Sequence, residues 1–347
     1  MTKSAGNIVL YPRGGLGNQL FQYGAALQLS IDLGCRITVD DSLLNPKVTM
    51  NAGVASRHLE LEEFENQILT TTRSRGLSSK FRSKSMTIQR LVGDKVPRLL
   101  LKVGVFANER TDQIEVFRTI RKPVVINSYC SSPAYFPDCQ DELARQISEI
   151  RQPSQWYTQI AKELERDAPI ALHVRLGDYK NLGSMYGSPD PQYYANAVRL
   201  ITEKIGKRPI WLFSDEPELA EAIVGNHVEI DRVIDPKASD RAIEHLNLLG
   251  KCQGIVCANS SFSWWGAWLS KRKGKICVRP KNLNVSKRFR TKPIQTKPMQ
   301  TFQNVSKPNQ CKRFKTFLNQ TNINQTNSNV SKHFQTNHQE PNQNKRF

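Results

Sequence analysis

An α/β protein with parallel, doubly wound sheets is what this sequence predicts, and three observations carry the prediction. A strand, a glycine turn, a helix and a second strand follow one another within the first 41 residues. The same alternation returns after residue 168. At 347 residues and 39.5 kDa the chain is also long enough for two cores.

Asn7–Pro12 is a short apolar run, and Arg13–Asn18 is a tight turn. From Gln19 to Leu33 apolar residues recur at helical spacing (Leu20, Gly24, Leu27, Ile31), and Cys35–Asp41 reads as the second strand. Residues 45–120 show no comparable order. Arg73–Lys102 holds nine Lys or Arg against the single acid Asp94, with Leu91, Val92 and Leu99–Leu101 among them. It reads either as a solvated helix or loop, or as a surface that rests on anionic lipid or meets an anionic acceptor. Pro123–Tyr129 is a strand, Asp138–Ile150 is helix-like, and Arg151–Ser154 is a polar linker.

The second half begins with the strand Pro169–Val174 and continues with a helix over Gln192–Ile205 and a strand over Pro209–Ser214. A helix from Glu216, a strand over Val228–Ile234 and a helix from Ser239 or Asp240 follow. The strand Gly254–Ala258, a helix from Phe262 and the strand Lys275–Val278 complete the alternation. The expected architecture is two α/β domains, 1–150 and 155–280, facing a cleft.

After Pro280 the pattern dissolves. Residues 281–347 contain 13 Lys and Arg, one acid and 21 Asn and Gln, so this tail carries +12 of the net +19 and leaves +7 to the first 280 residues. Asn-Val-Ser-Lys recurs at 284, 304 and 329, and Lys-Arg-Phe at 287, 312 and 345. Repeats of this polarity bury too little surface to offset chain entropy, which predicts a disordered tail. Because the charge is local, a high overall charge does not make the protein a nucleic-acid binder.

No apolar run approaches the ~20 residues of a membrane span, and the strand starting near Asn7 leaves no room for a signal peptide. Seven scattered cysteines without a C-x-x-C pair argue against a disulfide framework and for a reducing cytoplasm. His245, Cys252 and Cys257 match no zinc spacing, and core packing is the expected role of the two cysteines.

In open α/β sheets ligands bind beyond the carboxyl ends of the strands, and four of those ends carry unusual polar residues here. The Gly14–Asn18 turn lacks the third glycine of G-x-G-x-x-G, with Leu20 at that position. It either allows close backbone approach and sets Asn18 and Gln19 at a helix start that favours anions, or is only a tight turn. His173-Val174-Arg175-Leu176-Gly177-Asp178-Tyr179 delivers donors into a glycine turn. Arg175 there offers a permanently charged fork to a diphosphate, unless Asp178 pairs with it and His173 is a core residue. At Phe213-Ser214-Asp215 the polar pair either caps the next helix or contacts a ligand. At Asn259-Ser260-Ser261 a strand turns into a helix through free amides and hydroxyls, a ready phosphate seat, while Trp264 and Trp268, at i and i+4, are expected to face the core. No Asp-x-Asp pair occurs, so these ends describe a cleft that grips a nucleotide diphosphate without metal.

The segment Gly14-Gly15-Leu16-Gly17-Asn18-Gln19-Leu20-Phe21-Gln22-Tyr23 resembles the opening signature of the family 11 glycosyltransferases, the α-1,2-fucosyltransferases. His173–Tyr179 is similar to their H-x-R-R-G-D-Y motif, and Phe213–Asp215 and Asn259–Trp268 resemble two further motifs. Arg57–Leu61 and Tyr129 to Phe136 are looser matches, and the resemblance covers about residues 7–280. It implies a GT-B type fold, GDP-fucose as donor, inversion at the anomeric carbon, and neither a metal nor another cofactor. By the same resemblance Arg175 is the catalytic residue on the β-phosphate. His173, Asp178, Tyr179, Ser214, Asp215, Asn259, Ser260 and Ser261 bind the donor, and Asn18 and Gln19 face it across the cleft. The acceptor implied is a galactose-terminated oligosaccharide or lipid-linked glycan, met in the cytoplasm or at the inner membrane face, with residues 73–102 as the membrane contact. Leu176 replaces the motif's second Arg, Ser131 stands for a Gln, His245 for an Asp and Leu219 for a Trp, which bears on the acceptor more than on the donor. The tail fits no pattern of the family. The competing reading is a weak or inactive transferase-like core that binds nucleic acid or acidic glycans through its basic tail.

Overall fold

The computed structural model describes residues 7–44, 58–63, 69–71, 100–102, 104–108, 113–176 and 190–280. Asp178, Tyr179, the tail 281–347 and all but the last three residues of the basic stretch 73–102 lie outside the described residues.

Two five-stranded, wholly parallel sheets follow each other along the chain. The first has the order β3 (Leu69–Thr71), β2 (Ile37–Val39), β1 (Ile8–Leu10), β5 (Val125–Ser128), β4 (Val105–Asn108). The second has the order β10 (Ile276–Val278), β9 (Gly254–Val256), β6 (Ile170–Val174), β7 (Ile210–Ser214), β8 (Arg232–Ile234). In each, the chain starts at the middle strand, winds outward to one edge and then returns to the other side. That reversal opens a crevice between β1 and β5, and another between β6 and β9.

The helices are α1 (Leu16–Leu33), α2 (Ile114–Arg118), α3 (Gln140–Ser148), α4 (Gln155–Asp167), α5 (Pro191–Ile205), α6 (Pro217–Val224), α7 (Ala242–Lys251) and α8 (Ser261–Leu269). Local chemistry sets their ends. Gly34 closes α1 in the left-handed region at φ +63°. Ser154 caps α4 by accepting from the Tyr157 amide, and Asp190 with Pro191 opens α5.

The second sheet is covered on both faces. Ile170, Leu172 and Val174 of β6 pack with Tyr194, Ile201, Ala220 and Val224, while Ala171 turns to the opposite cluster with Ile160, Leu164, Leu248 and Leu249. That explains why β6 is buried at every position and reads as an unbroken apolar run.

The expected alternation is present with shorter strands, while α1, α5 and α8 begin earlier than expected, and α4, β3, β4 and α2 are additions to it. The polar segment 151–154 is the passage between the sheets. Both sheets belong to one compact unit.

Candidate active site

The crevice between β6 and β9 brings together the residue groups singled out at three of the four strand ends. β6 ends in His173 and Val174 and hands the chain to Arg175, and across the crevice β9 leads through Cys257–Ser260 into α8. The rings of His173 and Phe262, in the first turn of α8, stack at 5.7 Å and 21°. The arginine loop and the amino end of α8 are therefore neighbours.

Arg175 does not need Asp178 as a partner. Its Nη1 lies 3.3 Å from Asp215 Oδ2, and Asp215 Oδ1 accepts the Leu176 amide at 3.0 Å. One carboxylate at the end of β7 thus holds both the charge and the backbone of the loop after β6. Arg175 keeps 26% of its side-chain surface exposed, enough for the fork to meet a ligand.

His173 is buried and has no hydrogen-bond partner for Nδ1. Burial, seconded by the Arg175 charge and opposed by Asp215, pushes its pKa down to about 4. The imidazole is neutral at ordinary pH, so Arg175 is the fixed positive charge of this pair.

At the start of α8, Ser260 Oγ accepts the Phe262 amide at 3.2 Å. Buried Ser263 donates to the carbonyl of Ala258 or Ser260, each at 3.2 Å. Asn259 is buried in the same turn and Ser261 is half-buried. The first-turn amides of a helix lack intrahelical partners, so beyond the Phe262 amide taken by Ser260 this end carries donors and the positive pole of the helix dipole. Ser214 instead serves its own chain: its Oγ accepts the Glu216 amide at 3.1 Å.

The glycine turn differs from the expectation. Gly14 takes φ +70°, and Asn18 folds against it. Asn18 stays partly exposed at the start of α1, but Gln19 faces no ligand. Gln19 is fully buried, donates to the carbonyls of Gly14 and His58 at 2.9 Å each, and accepts the Glu60 amide at 2.9 Å. The buried Glu60 carboxylate accepts the Leu16 amide at 2.8 Å, so the positive end of α1 is already matched by a protein anion.

The two sheets meet through these same helices. Gly17 lies so close to α8 that a Cβ there would sit 2.7 Å from the Phe262 nitrogen and the Ser261 carbonyl carbon. The Gly17 carbonyl accepts Trp265 Nε1 at 2.8 Å, and Trp265 is sealed against Phe21 and Phe136. Trp265 is the core tryptophan. Trp264 and Trp268, expected in the core, stack on each other at 6.2 Å and are only half-buried.

Reading along the sequence missed Glu60, and it missed Arg13, whose guanidinium donates to Asn127 across the β1–β5 crevice. The signal available for the latter was an arginine directly before a glycine turn and an asparagine near a strand end.

Residues 8–299 match Glycosyl transferase family 11. The chain belongs to that family. The match covers its opening glycine turn, the His173–Arg175 strand end and the Asn259–Ser261 turn, and it runs nineteen residues past Pro280. The first part of the tail is therefore within the family's length, contrary to the expectation that the whole tail falls outside it.

Among curated relatives of this family 11 chain, the O-antigen biosynthesis glycosyltransferase WbnK of Escherichia coli is 28% identical over 77% of this chain and 92% of that protein. An alpha-1,2-colitosyltransferase of Escherichia coli is 24% identical over 77% and 89%. Among solved structures, fucosyltransferase NodZ from Bradyrhizobium aligns with 15% identity and a TM-score of 0.45 over 76% of this chain and 92% of that one. POFUT1 in complex with GDP aligns with 11% identity and a TM-score of 0.41 over 80% and 99%. At such TM-scores these likenesses add nothing to the fold already described.

Among the described residues of this glycosyltransferase no group of three or more His, Cys, Asp and Glu could hold a metal ion. Cys252 and Cys257 are buried, donate to the carbonyls of Leu248 and Ser263, and have pKa values raised by burial, while His245 meets the Ser239 carbonyl and packs at a tilt against Trp156. No helix among the described residues is long and apolar enough to cross a membrane.

Proposed function

We propose that this chain transfers L-fucose from GDP-fucose to the 2-hydroxyl of a terminal galactoside, with inversion and without a metal. The observation that carries the reading is the place of Arg175: it is held by Asp215 and lies two residues after His173, whose ring stacks on Phe262 at the amino end of α8. In this reading the acceptor oxygen attacks the anomeric carbon while its bond to the β-phosphate oxygen breaks with oxocarbenium character. The charge that develops on GDP is met by the Arg175 fork and the α8 amides, in place of a cation. His173, neutral and buried, supports this wall without adding charge, and Asn259–Ser261 with the Asp215 region contact the nucleotide. Asp178 and Tyr179 belong to the same donor site by their place in the motif. The arrangement is of GT-B type, with the second sheet carrying the donor and the first, including Asn18, facing the acceptor.

Membership of family 11 and likeness to an O-antigen glycosyltransferase support a glycan acceptor; that it is free or lipid-linked, and met in the cytoplasm or at the inner membrane face, is part of the proposal. The relative named for colitosyl transfer favours a second reading, in which the same site takes the colitosyl donor. A donor panel on a galactoside acceptor, run with and without chelator and with Arg175→Ala, tests both. The expected result is transfer from GDP-fucose, unaffected by chelator and lost at least a hundredfold in Arg175→Ala. Preference for the colitosyl donor selects the second reading, and chelator-sensitive turnover or a normal Arg175→Ala rate rejects the mechanism.

A further inference from the structure

The hydrogen bonds around Glu60 join three stretches of chain that the donor site does not itself contain. Its carboxylate reaches back 44 positions to the Leu16 amide at 2.8 Å, and its own amide donates to Gln19 Oε1 at 2.9 Å. The Gln19 amide group closes the circuit on Gly14 and His58. Filling this volume would need only an apolar side chain, and burying a carboxylate is costly unless its bonds are well made. What the carboxylate adds is position: the first amide of α1 is held at a set distance from the 58–60 segment. One residue further on, Gly17 touches Ser261 and Phe262 with no slack for even a methyl group, and its carbonyl is gripped by Trp265. Any shift of the first turn of α1 must therefore move the first turn of α8.

We infer that Glu60 is a positioning residue for the transferase reaction. Through Leu16 and Gly17 it sets the first turn of α8 against Arg175. The inference rests on reading the α8 end as the donor seat.

The test separates reach from charge. Glu60→Gln keeps an oxygen at the same reach, Glu60→Asp keeps the charge but draws it back by one methylene, and Glu60→Ala removes both. Hydrogen exchange on the ligand-free chain is the first readout. Amides in peptides spanning 14–22 and 259–266 are expected to exchange about tenfold faster in the Ala and Asp variants and to recover within about threefold in Gln. The second readout is turnover of GDP-fucose: kcat is expected to fall about tenfold in Ala and Asp at near-normal donor KM, and to recover within about threefold in Gln. If Glu60→Ala does not fold, the Gln and Asp pair decides alone. Faster exchange confined to 14–22, or rescue by Asp instead of Gln, overturns the inference. An unaltered chain that turns over no GDP-fucose rejects the proposed donor, while the exchange comparison still decides whether Glu60 holds α8.

Discussion

His173 stands two residues before Arg175, its ring against Phe262, and a neutral imidazole buried beside a permanent cation makes stability depend on pH. Its pKa falls from the ordinary 6.5 to about 4, so at pH values between these the unfolded chain takes up a proton that the folded chain refuses. The stabilisation is complete above pH 6.5 and is lost as the pH falls toward 4. At 1.36 kcal/mol per pH step the full loss is about 3 kcal/mol, and about 2 kcal/mol is gone by pH 5. Denaturant unfolding at pH 7 and pH 5 should show this decrement in the unaltered chain and a smaller one in His173→Phe, which keeps the stacking and removes the titration. Equal pH dependence in the two proteins would mean that His173 is not buried neutral. At this scale the sequence displays its chemistry openly where a costly group ends an apolar strand, as with Arg175 and Asp215. It hides it where the partners are far apart, as with Glu60 and Gln19, which each lie in a recognisable stretch but are 41 positions apart with nothing local to link them.

The pair α1 and α8 gives a sharper contrast between packing and function. A methyl group on Gly17 would meet backbone atoms of Ser261 and Phe262 at 2.7 Å, which cannot yield unless the whole helix end moves. On Gly24, about two turns further along α1, the obstacles are the Phe136 ring at 2.8 Å and Leu143 at 3.0 Å, side chains that can tilt. Gly17→Ala is therefore expected to lose about 1–3 kcal/mol to strain, partly offset by the helix propensity of Ala. It should also cut kcat/KM by more than tenfold, because the displaced α8 no longer meets Arg175. Gly24→Ala should cost similar stability with turnover within about threefold. Both are read from denaturation midpoints and initial rates, and a Gly17→Ala enzyme of normal rate would disconnect the helix crossing from the site. Periodicity revealed α1 and the strands of the second sheet because their apolar residues are dense and regular. It passed over α4, whose only fully buried residues are Ile160 and Leu164 in a polar run, and it lengthened β8 because Val228 is buried ahead of that strand.

Across the whole molecule, the bonds that tie down the passage between the sheets centre on Glu244. Glu244 of α7 is fully buried and accepts from the Ser154 amide at 2.7 Å, Ser154 Oγ at 2.6 Å, Ser239 Oγ at 2.8 Å and Arg241 Nη1 at 3.2 Å. Arg241 also donates to the Gln152 carbonyl, and Asn247 donates to the carbonyl of Ile147 at the end of α3. Burial alone would raise the Glu244 pKa, but the bonds from Ser154 and Ser239 and the Arg241 charge outweigh it, so the carboxylate stays ionised and lies below its ordinary range. The latch is therefore intact at neutral pH and weakens only as the pH falls through the carboxylate range. Residues 151–154 were legible as a linker from their polarity, but their anchor, ninety positions away, was not. Glu244→Ala leaves the half-buried Ser154 donors and the Arg241 charge without their acceptor and should cost about 2 kcal/mol. Because the loss is concentrated where the sheets join, opening there should outpace global unfolding. Trypsin cleavage after the exposed Arg151 is then expected to accelerate on the order of tenfold in native buffer, while sites inside the sheets keep their protection. Uniform acceleration at all sites would show that the two sheets open as a single body, with Glu244 contributing only to its overall stability.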